Sequence, residues 1–268
     1  MDLNTVAEVV SPAGPGQWRP GDAWLGGGTA LFGEPRPDVR RLLDLAAAGW
    51  PALTVSEAGL DIAATCTIAE LFDFSGAPQF EAFHAIAKGC CHAFLASFKI
   101  WNVATVGGNL CAALPAGPMI SLTAALDGTC LILGPDGGSR TVGVADFVTG
   151  AGTTVLADGE LLRSVHLPTA ALTGLAAYRQ GSLHRHGRSA ALLIGRRGND
   201  GGLVLTVTAA TQRPHRLRFA TLPDAETLQV ALAERIPDTA YVDDVHGRPV
   251  WRRHLTRLYA EEIRRELE

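Results

Sequence analysis

The sequence lacks the features that mark a secreted, membrane-spanning or nucleic-acid-binding protein. No basic start followed by an apolar stretch is present, and no segment approaches the ~20 apolar residues of a spanning helix. Lysine and arginine form no run, and the formal net charge of the 268 residues is −4. This charge offers no basic patch for nucleic acid or an anionic membrane. We therefore expect a cytoplasmic protein.

Cysteine is also scarce. The chain has an odd number of cysteines and no C-x-x-C pair: Cys66, Cys90, Cys91, Cys111 and Cys130. This pattern argues against a disulfide framework, a zinc site and an iron–sulfur cluster on this chain. We expect all five to be buried packing residues. Cys111 has no positive neighbour in sequence to lower the pKa of its thiol, so a packing role is favoured over a nucleophile.

The common catalytic and nucleotide-binding motifs are absent as well. No G-x-G-x-x-G precedes a helix and an acidic residue, and neither a Walker motif nor G-x-S-x-G occurs. Ser182, His184 and His186 lie close together, but a His-x-His pair without nearby carboxylates is more often surface than metal site. We interpret residues 179–197 as a solvated, arginine-rich loop. No catalytic residue is predicted.

What the sequence contains is the pattern of a globular α+β protein. Apolar residues make up 47% and charged residues 19%, enough for two or three compact subdomains. Strand signals cluster in hairpins, one around Gly59 and another across residues 130–144, instead of alternating regularly with helices. Trp24 and Leu25 indicate a strand that runs into a tight loop. Further strands are predicted over residues 160–167 and 203–211.

Helices are indicated by capping and by apolar periodicity. Thr67 and Glu70 have capping-box spacing, so a helix should begin there. Residues 81–98 carry apolar side chains at intervals of three and four, which predicts one amphipathic helix, and residues 120–126 also have a helical pattern. Two C-terminal helices are predicted from apolar faces: Leu228, Leu232 and Ile236 on the first, and Leu255, Leu258, Tyr259, Ile263 and Leu267 on the second.

Two glycine-rich loops carry the chemistry that the residues themselves suggest. They are Gly26-Gly27-Gly28-Thr29 and Thr105-Val106-Gly107-Gly108-Asn109. Without Cβ atoms the backbone can bring its N–H groups close to phosphate oxygens, and threonine adds a further donor. The Asn109 side chain suits either a phosphate or the fixing of the loop. Paired glycines are most often simple turns, so the residues alone predict two candidate anion-binding loops.

The order of these loops and their surroundings resembles the FAD-binding subunit of molybdenum hydroxylases, the family of xanthine dehydrogenase and carbon monoxide dehydrogenase. The first loop is similar to the family's A-G-G-T-[DS]-L, and the second to its I-R-N-x-A-T-x-G-G-N-L. The matching stretches are GGGTAL at 26–31, ATCTIAEL at 64–71, KIWNVATVGGNLCAALPAG at 99–117, LTAALDG at 122–128, DFVTG at 146–150, GELLRSVHLP at 159–168 and AAYRQGSLHRHGRSAA at 176–191.

The resemblance implies a fold and a set of cofactor contacts. The fold would be a two-subdomain FAD-binding fold of the PCMH/vanillyl-alcohol-oxidase type, followed by an α+β C-terminal subdomain with an antiparallel sheet packed against helices. Its parts would be residues 1–55 with the first glycine loop, 56–173 with the second, and 174–268. The implied FAD-binding residues are Gly26, Gly27, Gly28, Thr29, Ala30, Leu31, Leu95, Thr105, Gly107, Gly108, Asn109, Leu162 and Arg179.

Within that set the resemblance implies distinct roles. The two loops would hold the FAD diphosphate, Leu162 would pack against the isoalloxazine ring, and Arg179 would lie near the flavin's pyrimidine end, where its charge would tune the potential. The implied function is electron transfer from iron–sulfur clusters to NAD+ or another acceptor. Molybdopterin would lie on a large partner subunit and 2Fe-2S clusters on a small one, with the substrate pocket elsewhere than on this chain.

Three positions depart from the family pattern. Ala30 stands where a polar or acidic residue is usual, Pro118 where an aspartate is usual, and Trp101 where an arginine is frequent. The first two motivate an alternative, a family-shaped scaffold or assembly subunit that has lost its flavin. A second alternative is a free-standing flavoenzyme that acts on a small metabolite.

Overall fold

A computed structural model describes residues 3–12 and 14–268. Three sheets follow one another along these residues, and a short two-stranded ribbon accompanies the second. The strands are β1 (Glu8–Val10), β2 (Asp22–Leu25), β3 (Arg41–Asp44), β4 (Leu53–Ser56), β5 (Gly59–Ala63), β6 (Thr129–Leu133), β7 (Ser139–Gly143), β8 (Val148–Gly150), β9 (Thr153–Thr154), β10 (Leu161–Pro168), β11 (Leu175–Gly181), β12 (Ala191–Arg197), β13 (Leu203–Thr208) and β14 (His215–Phe219). The α-helices are α1 (Ile68–Asp73), α2 (Glu81–Ala93), α3 (Phe98–Trp101), α4 (Val106–Ala112), α5 (Pro118–Ala125), α6 (Val144–Phe147), α7 (Thr169–Leu172), α8 (Ala225–Arg235) and α9 (Pro249–Glu266).

The N-terminal sheet is parallel and has the order β1-β3-β2. The Arg41 guanidinium donates to the Asp22 carboxylate, which ties β2 to β3 at their beginnings. Leu42 and Leu43 are buried on β3. The predicted strand at Trp24 and Leu25 is confirmed, and it leads directly into the first glycine loop.

The second sheet is antiparallel, with the order β4-β5-β10-β6-β7. Both predicted hairpins, β4 with β5 and β6 with β7, are confirmed. The predicted capping box is also present at α1, because Thr67 Oγ1 accepts from Glu70 N and Glu70 Oε2 accepts from Thr67 N. Every residue of α5 is buried. Helices α2 and α5 cover the core on this side of the molecule.

The single helix predicted over residues 81–98 is wrong at its C-terminal end. Helix α2 stops at Ala93, and Phe98 begins the separate short helix α3. The interruption falls at Leu95, whose φ of 51° is left-handed and incompatible with a continuing α-helix. The apolar residues keep their three- and four-residue spacing through this break, although the helical backbone is interrupted there.

The C-terminal sheet is antiparallel, with the order β11-β12-β13-β14, and α8 and α9 accompany it. The interpretation of residues 179–197 as a solvated loop is therefore wrong. Most of that segment belongs to β11 and β12, and only residues 182–190 connect them. The apolar run of β12 is almost completely buried because neighbours from β13, α5 and α9 cover both of its faces.

Two hydrophobic cores share the C-terminal sheet. The larger core lies between the second sheet and helices α2 and α5, and it includes Leu192, Ile194 and Ala209 of the C-terminal subdomain. The smaller core lies on the other face, where Leu193, Leu205 and their neighbours pack against α8 and α9. Because one sheet contributes to both cores, the C-terminal subdomain is packed tightly against the rest of the chain. Across the described ranges, no helix combines the length and apolar character that crossing a membrane requires.

Four of the cysteines are buried as predicted, but Cys111 is exposed. In α4 the inward positions are Val106, Gly107 and Leu110, which follow helical spacing. Cys111 follows Leu110 by one residue and therefore points away from the core. The prediction that all five cysteines are buried is wrong at this one position.

Candidate functional site

A cavity of about 690 Å³ lies where the two glycine loops meet the C-terminal subdomain. Cofactor sites usually occupy roughly 300–1,000 Å³ and combine apolar walls with a few polar groups. The cavity brings together six of the residues predicted for the site: Thr29, Ala30, Leu95, Thr105, Gly108 and Asn109.

The first glycine loop offers a row of backbone donors beside this cavity. Among the described residues, the amides of residues 27–31 donate to no protein acceptor. The loop is held in shape by two bonds further on, from Phe32 N to Gly28 O (2.9 Å) and from Gly33 N to Ala30 O (3.0 Å). Successive unbonded amides in one turn can form a concave group of donors suited to an anion, and Thr29 and Ala30 bring this turn to the cavity.

The glycines of the first loop have packing roles. A Cβ on Gly27 would lie 1.6 Å from the Val103 carbonyl oxygen, so this position brings the loop against the backbone that precedes the second loop. Gly28 has a φ of 73°, and a Cβ there would lie 2.4 Å from the Phe32 ring. Gly26 faces Thr105 Oγ1. These glycines and Leu31 do not line the cavity; they shape the loop that does.

The second loop differs from expectation because its amides already have acceptors. The first amides of α4 all donate within the protein: Val106 N to Cys66 O (2.8 Å), Gly107 N to Ala64 O (3.0 Å), Gly108 N to Thr105 Oγ1 (3.0 Å) and Asn109 N to Thr105 O (3.0 Å). The expectation that these N–H groups turn toward a ligand is therefore not met. Their role is to anchor α4 to the end of β5 and to cap the helix.

Side chains remain available on the second loop. The Thr105 hydroxyl accepts from Gly108 N and keeps its own hydrogen to donate. Asn109 Oδ1 accepts from Met119 N at 3.0 Å, which fixes the approach to α5, and its amino group has no partner in the described chain. Gly107 packs against Ala64, whereas Gly108 lines the cavity. The second loop thus offers one hydroxyl and one amide group.

An apolar wall occupies another side of the cavity. It consists of Phe94, Leu95, Ile100 and Leu114. Leu95 reaches this wall because its left-handed backbone turns the chain out of α2. Leu95 and Leu114 are 38% and 45% exposed, a large fraction for leucine side chains. Such a surface suits a planar apolar ring.

The remaining wall comes from the C-terminal subdomain, and sequence reasoning missed it. His186, Arg188 and Ser189 contribute from the loop between β11 and β12, and Asp244 and His246 from the turn before α9. No local pattern marks these residues, because they meet the glycine loops only in the folded chain. The alternating Arg and His residues of 184–188 were the one available signal, and they were interpreted as solvent-exposed.

Arg252 holds this wall together. Its side chain is 1% exposed, and it donates from Nε to Gly247 O (3.0 Å) and from Nη1 to Ala190 O and Ala209 O (both 2.7 Å). Nη2 donates to the Asp244 carboxylate. One guanidinium therefore joins three separate segments of chain at the cavity.

Two predicted site residues are not brought to the cavity. Leu162 is buried in β10, paired with Ile132 of β6. Arg179 lies on β11, where its guanidinium binds Glu262 and Glu266 of α9, each at 2.7 Å. The hydrogen bond that Arg179 donates to Glu262 raises the pKa of Arg179, so its guanidinium stays charged. Strand pairing directs both residues to surfaces that the cavity does not include.

The three departures from the family pattern have clear structural positions. Ala30 lines the cavity and presents its backbone amide, so a polar side chain is not needed for a donor there. Pro118 is the first residue of α5, where proline's fixed φ favours helix initiation. Trp101 packs against Phe72 and His92, with ring centroids 5.2 and 5.7 Å away.

Comparison with known proteins identifies the family. A family model described as "FAD binding domain in molybdopterin dehydrogenase" matches residues 20–170, which is more than half of the chain. The chain belongs to this family. It is thus the FAD-binding component of a molybdenum hydroxylase, a class of oxidoreductases.

One curated relative of this molybdenum hydroxylase component is xanthine dehydrogenase from Oryza sativa subsp. japonica. It is 34% identical over 123 residues, which cover 43% of this chain. The matched segment spans 9% of the rice enzyme's length.

Solved structures of similar fold cover almost the whole chain. Quinoline 2-oxidoreductase from Pseudomonas putida 86 aligns with a TM-score of 0.79 and 20% identity, over 100% of this chain and 98% of that chain. Carbon monoxide dehydrogenase from Hydrogenophaga pseudoflava aligns with a TM-score of 0.76 and 17% identity, over 98% and 97%. At such identities the likeness concerns the fold, and it confirms the predicted α+β architecture of the PCMH type.

The cavity residues fit FAD. The unbonded amides of residues 27–31 suit phosphate oxygens, and Leu95 and its neighbours suit an apolar ring. Gly108 lines the cavity, so a side chain there would take up space in it. These observations make the glycine loops the part of the chain that would hold the diphosphate.

Proposed function

We propose that this chain holds FAD between its two glycine loops and its C-terminal subdomain, and passes electrons from iron–sulfur clusters on a partner subunit to an acceptor such as NAD+. The observation that carries the proposal is the row of unbonded amides in residues 27–31 beside a 690 Å³ cavity, in a chain that belongs to an FAD-binding family. When bound, FAD supplies a two-electron store.

Different residues of the chain would bind different parts of FAD. Backbone amides of the first loop and the Thr29 hydroxyl would donate to the diphosphate, joined by Thr105 Oγ1 and the Asn109 amino group. The apolar wall at Leu95 and Leu114 would contact the isoalloxazine ring and keep water from it. The protein's contribution is therefore to bind, orient and shield the cofactor.

The proposed assembly includes a molybdopterin-binding large subunit and an iron–sulfur small subunit. Two structures of similar fold support a molybdenum-containing partner: a Cu,Mo-CO dehydrogenase, and the Hydrogenophaga pseudoflava carbon monoxide dehydrogenase in a form that lacks the Mo-pyranopterin moiety of its molybdenum cofactor. The substrate would be oxidised on the large subunit, so this chain does not determine its identity.

A visible absorption spectrum of the purified chain, before and after FAD is added, tests the proposal. The test variant is Gly108→Asp, whose Cβ would lie 2.9 Å from Thr105 Oγ1 and which would add a carboxylate at the cavity wall. The control is Gly14→Asp, since a Cβ at Gly14 meets nothing within 4 Å. We expect flavin bands in the wild type and the control, and none in the folded Gly108→Asp variant.

Two other results would each favour an alternative function. A folded wild-type chain without flavin bands, even when assembled with its partner subunits, would indicate a scaffold that has lost the cofactor. Flavin bands together with turnover of a small metabolite by the isolated chain, and no partner in a pull-down, would indicate a free-standing flavoenzyme.

A further inference from the structure

We propose that Arg188, which extends from the C-terminal subdomain, is the counter-ion of the FAD diphosphate. This inference rests on the proposed function. It assigns a charged contact across the cavity from the glycine loops, at a residue outside the set predicted from the sequence.

The charges around the cavity lead to this residue. A diphosphate in the cavity would bring two negative charges, and the glycine loops answer with neutral donors alone. Two arginines line the cavity, Arg188 and Arg252, and no lysine does. The Arg252 guanidinium already donates to three carbonyls and the Asp244 carboxylate. Arg188 makes no hydrogen bond or ion pair with any described residue.

The second glycine loop strengthens the need for such a cation. Its amides, which would otherwise stabilise the phosphates, donate to Ala64, Cys66 and Thr105. An anion that lacks those contacts requires compensation from elsewhere, and a guanidinium forms the strongest hydrogen bonds to phosphate. Two imidazoles, of His186 and His246, also line the cavity, but a guanidinium is charged at every physiological pH.

The Asp244 carboxylate, which lines the same wall, does not compete with the diphosphate for Arg188. Asp244 Oδ1 accepts from the Arg252 guanidinium and from His246 N, so its charge is already compensated. Arg188 is also presented from a fixed base. Ser189 Oγ accepts from Gln180 Nε2 at 2.9 Å, and Ala190 O accepts from Arg252. Ser189 and Ala190 are both buried, so these contacts hold the backbone that directly follows Arg188.

The same loop provides a matched control. Arg185 carries the same charge three residues earlier, is exposed like Arg188, and does not line the cavity. Arg188→Gln and Arg185→Gln therefore remove the same charge from the same segment. Because neither side chain has a partner in the described chain, neither change should affect folding, and a thermal melt would verify this.

The experiment titrates FAD into the full chain and its two variants, at low and high salt, and measures the midpoint potential of the bound flavin. We expect Arg188→Gln to weaken FAD binding about 10- to 100-fold, the effect of losing one charge-assisted contact. The salt dependence of binding should also decrease. Arg185→Gln should bind FAD like the wild type, and the potential should be the same in all three proteins.

Three results would overturn the inference, in distinguishable ways. Equal FAD affinity in Arg188→Gln and Arg185→Gln would remove Arg188 from the site but leave the proposed function intact. Weaker binding accompanied by a lowered midpoint potential would place Arg188 at the flavin ring instead of the diphosphate. A wild-type chain that binds no FAD, either alone or assembled with its partner subunits, would overturn the proposed function together with this inference.

Discussion

At the scale of single residues, Gly28 controls the shape of the first glycine loop. Its φ is 73°, and a Cβ would collide with the Phe32 ring at 2.4 Å. We expect Gly28→Ala to cost about 1–2 kcal/mol from the left-handed backbone alone, with a further cost from the displaced ring. FAD affinity should fall as well, because the amides of the loop would be reoriented. Urea unfolding and an FAD titration measure the two effects.

Gly49→Ala is the matched control for this change. Gly49 has a similar φ of 62°, but a Cβ there meets nothing within 4 Å and the residue lies outside the cavity. Gly49→Ala should show only the loss of stability caused by alanine in a left-handed backbone, and its FAD affinity should equal that of the wild type. Equal FAD affinity in the two variants would show that Gly28 does not shape the site.

Asp127 is a second single residue that should contribute strongly to the stability of the fold. It adopts a left-handed φ of 55°, and its carboxylate binds three guanidinium groups, those of Arg196, Arg216 and Arg218. Burial lowers the pKa of Arg216 to about 10, and the nearby charge of Arg218 adds to this. Asparagine tolerates a positive φ, so Asp127→Asn isolates the charge. We expect a loss of about 3 kcal/mol in urea unfolding, since the cluster is only partly buried.

Arg218→Gln tests whether that loss comes from buried charge. The Arg218 side chain is 58% exposed, so its removal should cost less than about 1 kcal/mol. A loss in Arg218→Gln as large as that in Asp127→Asn would contradict the argument, because the exposed pair would then account for the whole effect.

At the scale of elements, sequence patterns correctly predicted those helices and strands that depend on residues close together in the chain. The capping box at Thr67, the hairpins and the C-terminal helices all depend on residues a few positions apart, and each is present. The break at Leu95 was not visible, because apolar spacing carries no information on a left-handed residue. Strand β12 was missed because much of its burial comes from α5 and α9, which are distant from it in sequence.

The ion pair between Asp22 and Arg41 in the N-terminal sheet should stabilise the fold by an amount that varies with pH. The hydrogen bond from Arg41 lowers the pKa of Asp22 below its usual value of 3.8. A carboxyl group with a lowered folded pKa stabilises the fold above the unfolded pKa and loses that contribution as pH falls through the folded one. We expect Asp22→Asn to be less stable than the wild type at neutral pH and the difference to shrink below about pH 4.

Thermal unfolding at a series of pH values, with wild type and Asp22→Asn compared at each, measures this difference. Asp38→Asn serves as control, because Asp38 is exposed and makes no ion pair in the described chain. A stability difference between Asp22→Asn and wild type that stays constant from pH 7 to about pH 3 would show that the Asp22 carboxylate charge is not responsible.

At the scale of the whole molecule, the cavity is assembled from five separate parts of the chain. Sequence reasoning found the residues that belong to glycine motifs, Thr29, Thr105, Gly108 and Asn109 among them. It did not find Arg188, Asp244 or Arg252, because their chemistry depends on the docking of the C-terminal sheet against α5. Nor could it show that the first amides of α4 donate within the protein, since their acceptors at Cys66 and Ala64 are about 40 residues earlier in the chain.

Arg252 couples the assembly of the cavity wall to the stability of the whole fold. The guanidinium joins Ala190, Ala209 and the turn at Asp244, so Arg252→Met would leave three buried carbonyls and a carboxylate without their donor. We expect a loss of about 3–5 kcal/mol in urea unfolding and weaker FAD binding, because the wall opposite the glycine loops would loosen. Hydrogen exchange should increase at residues 186–190 and 244–247.

A variant of the neighbouring Arg253 distinguishes the contacts of the Arg252 guanidinium, here called the clamp, from general effects on α9. Among the described residues, Arg253 pairs only with Asp238, at 2.7 Å, and its side chain is 35% exposed. Arg253→Gln should therefore cost less than about 1 kcal/mol and leave both FAD affinity and hydrogen exchange at the cavity unchanged. If Arg252→Met lost stability but kept wild-type exchange at residues 186–190, the clamp would stabilise α9 without positioning the cavity wall. Faster exchange confined to that wall and its turn would instead show that one buried guanidinium couples the C-terminal fold to the site.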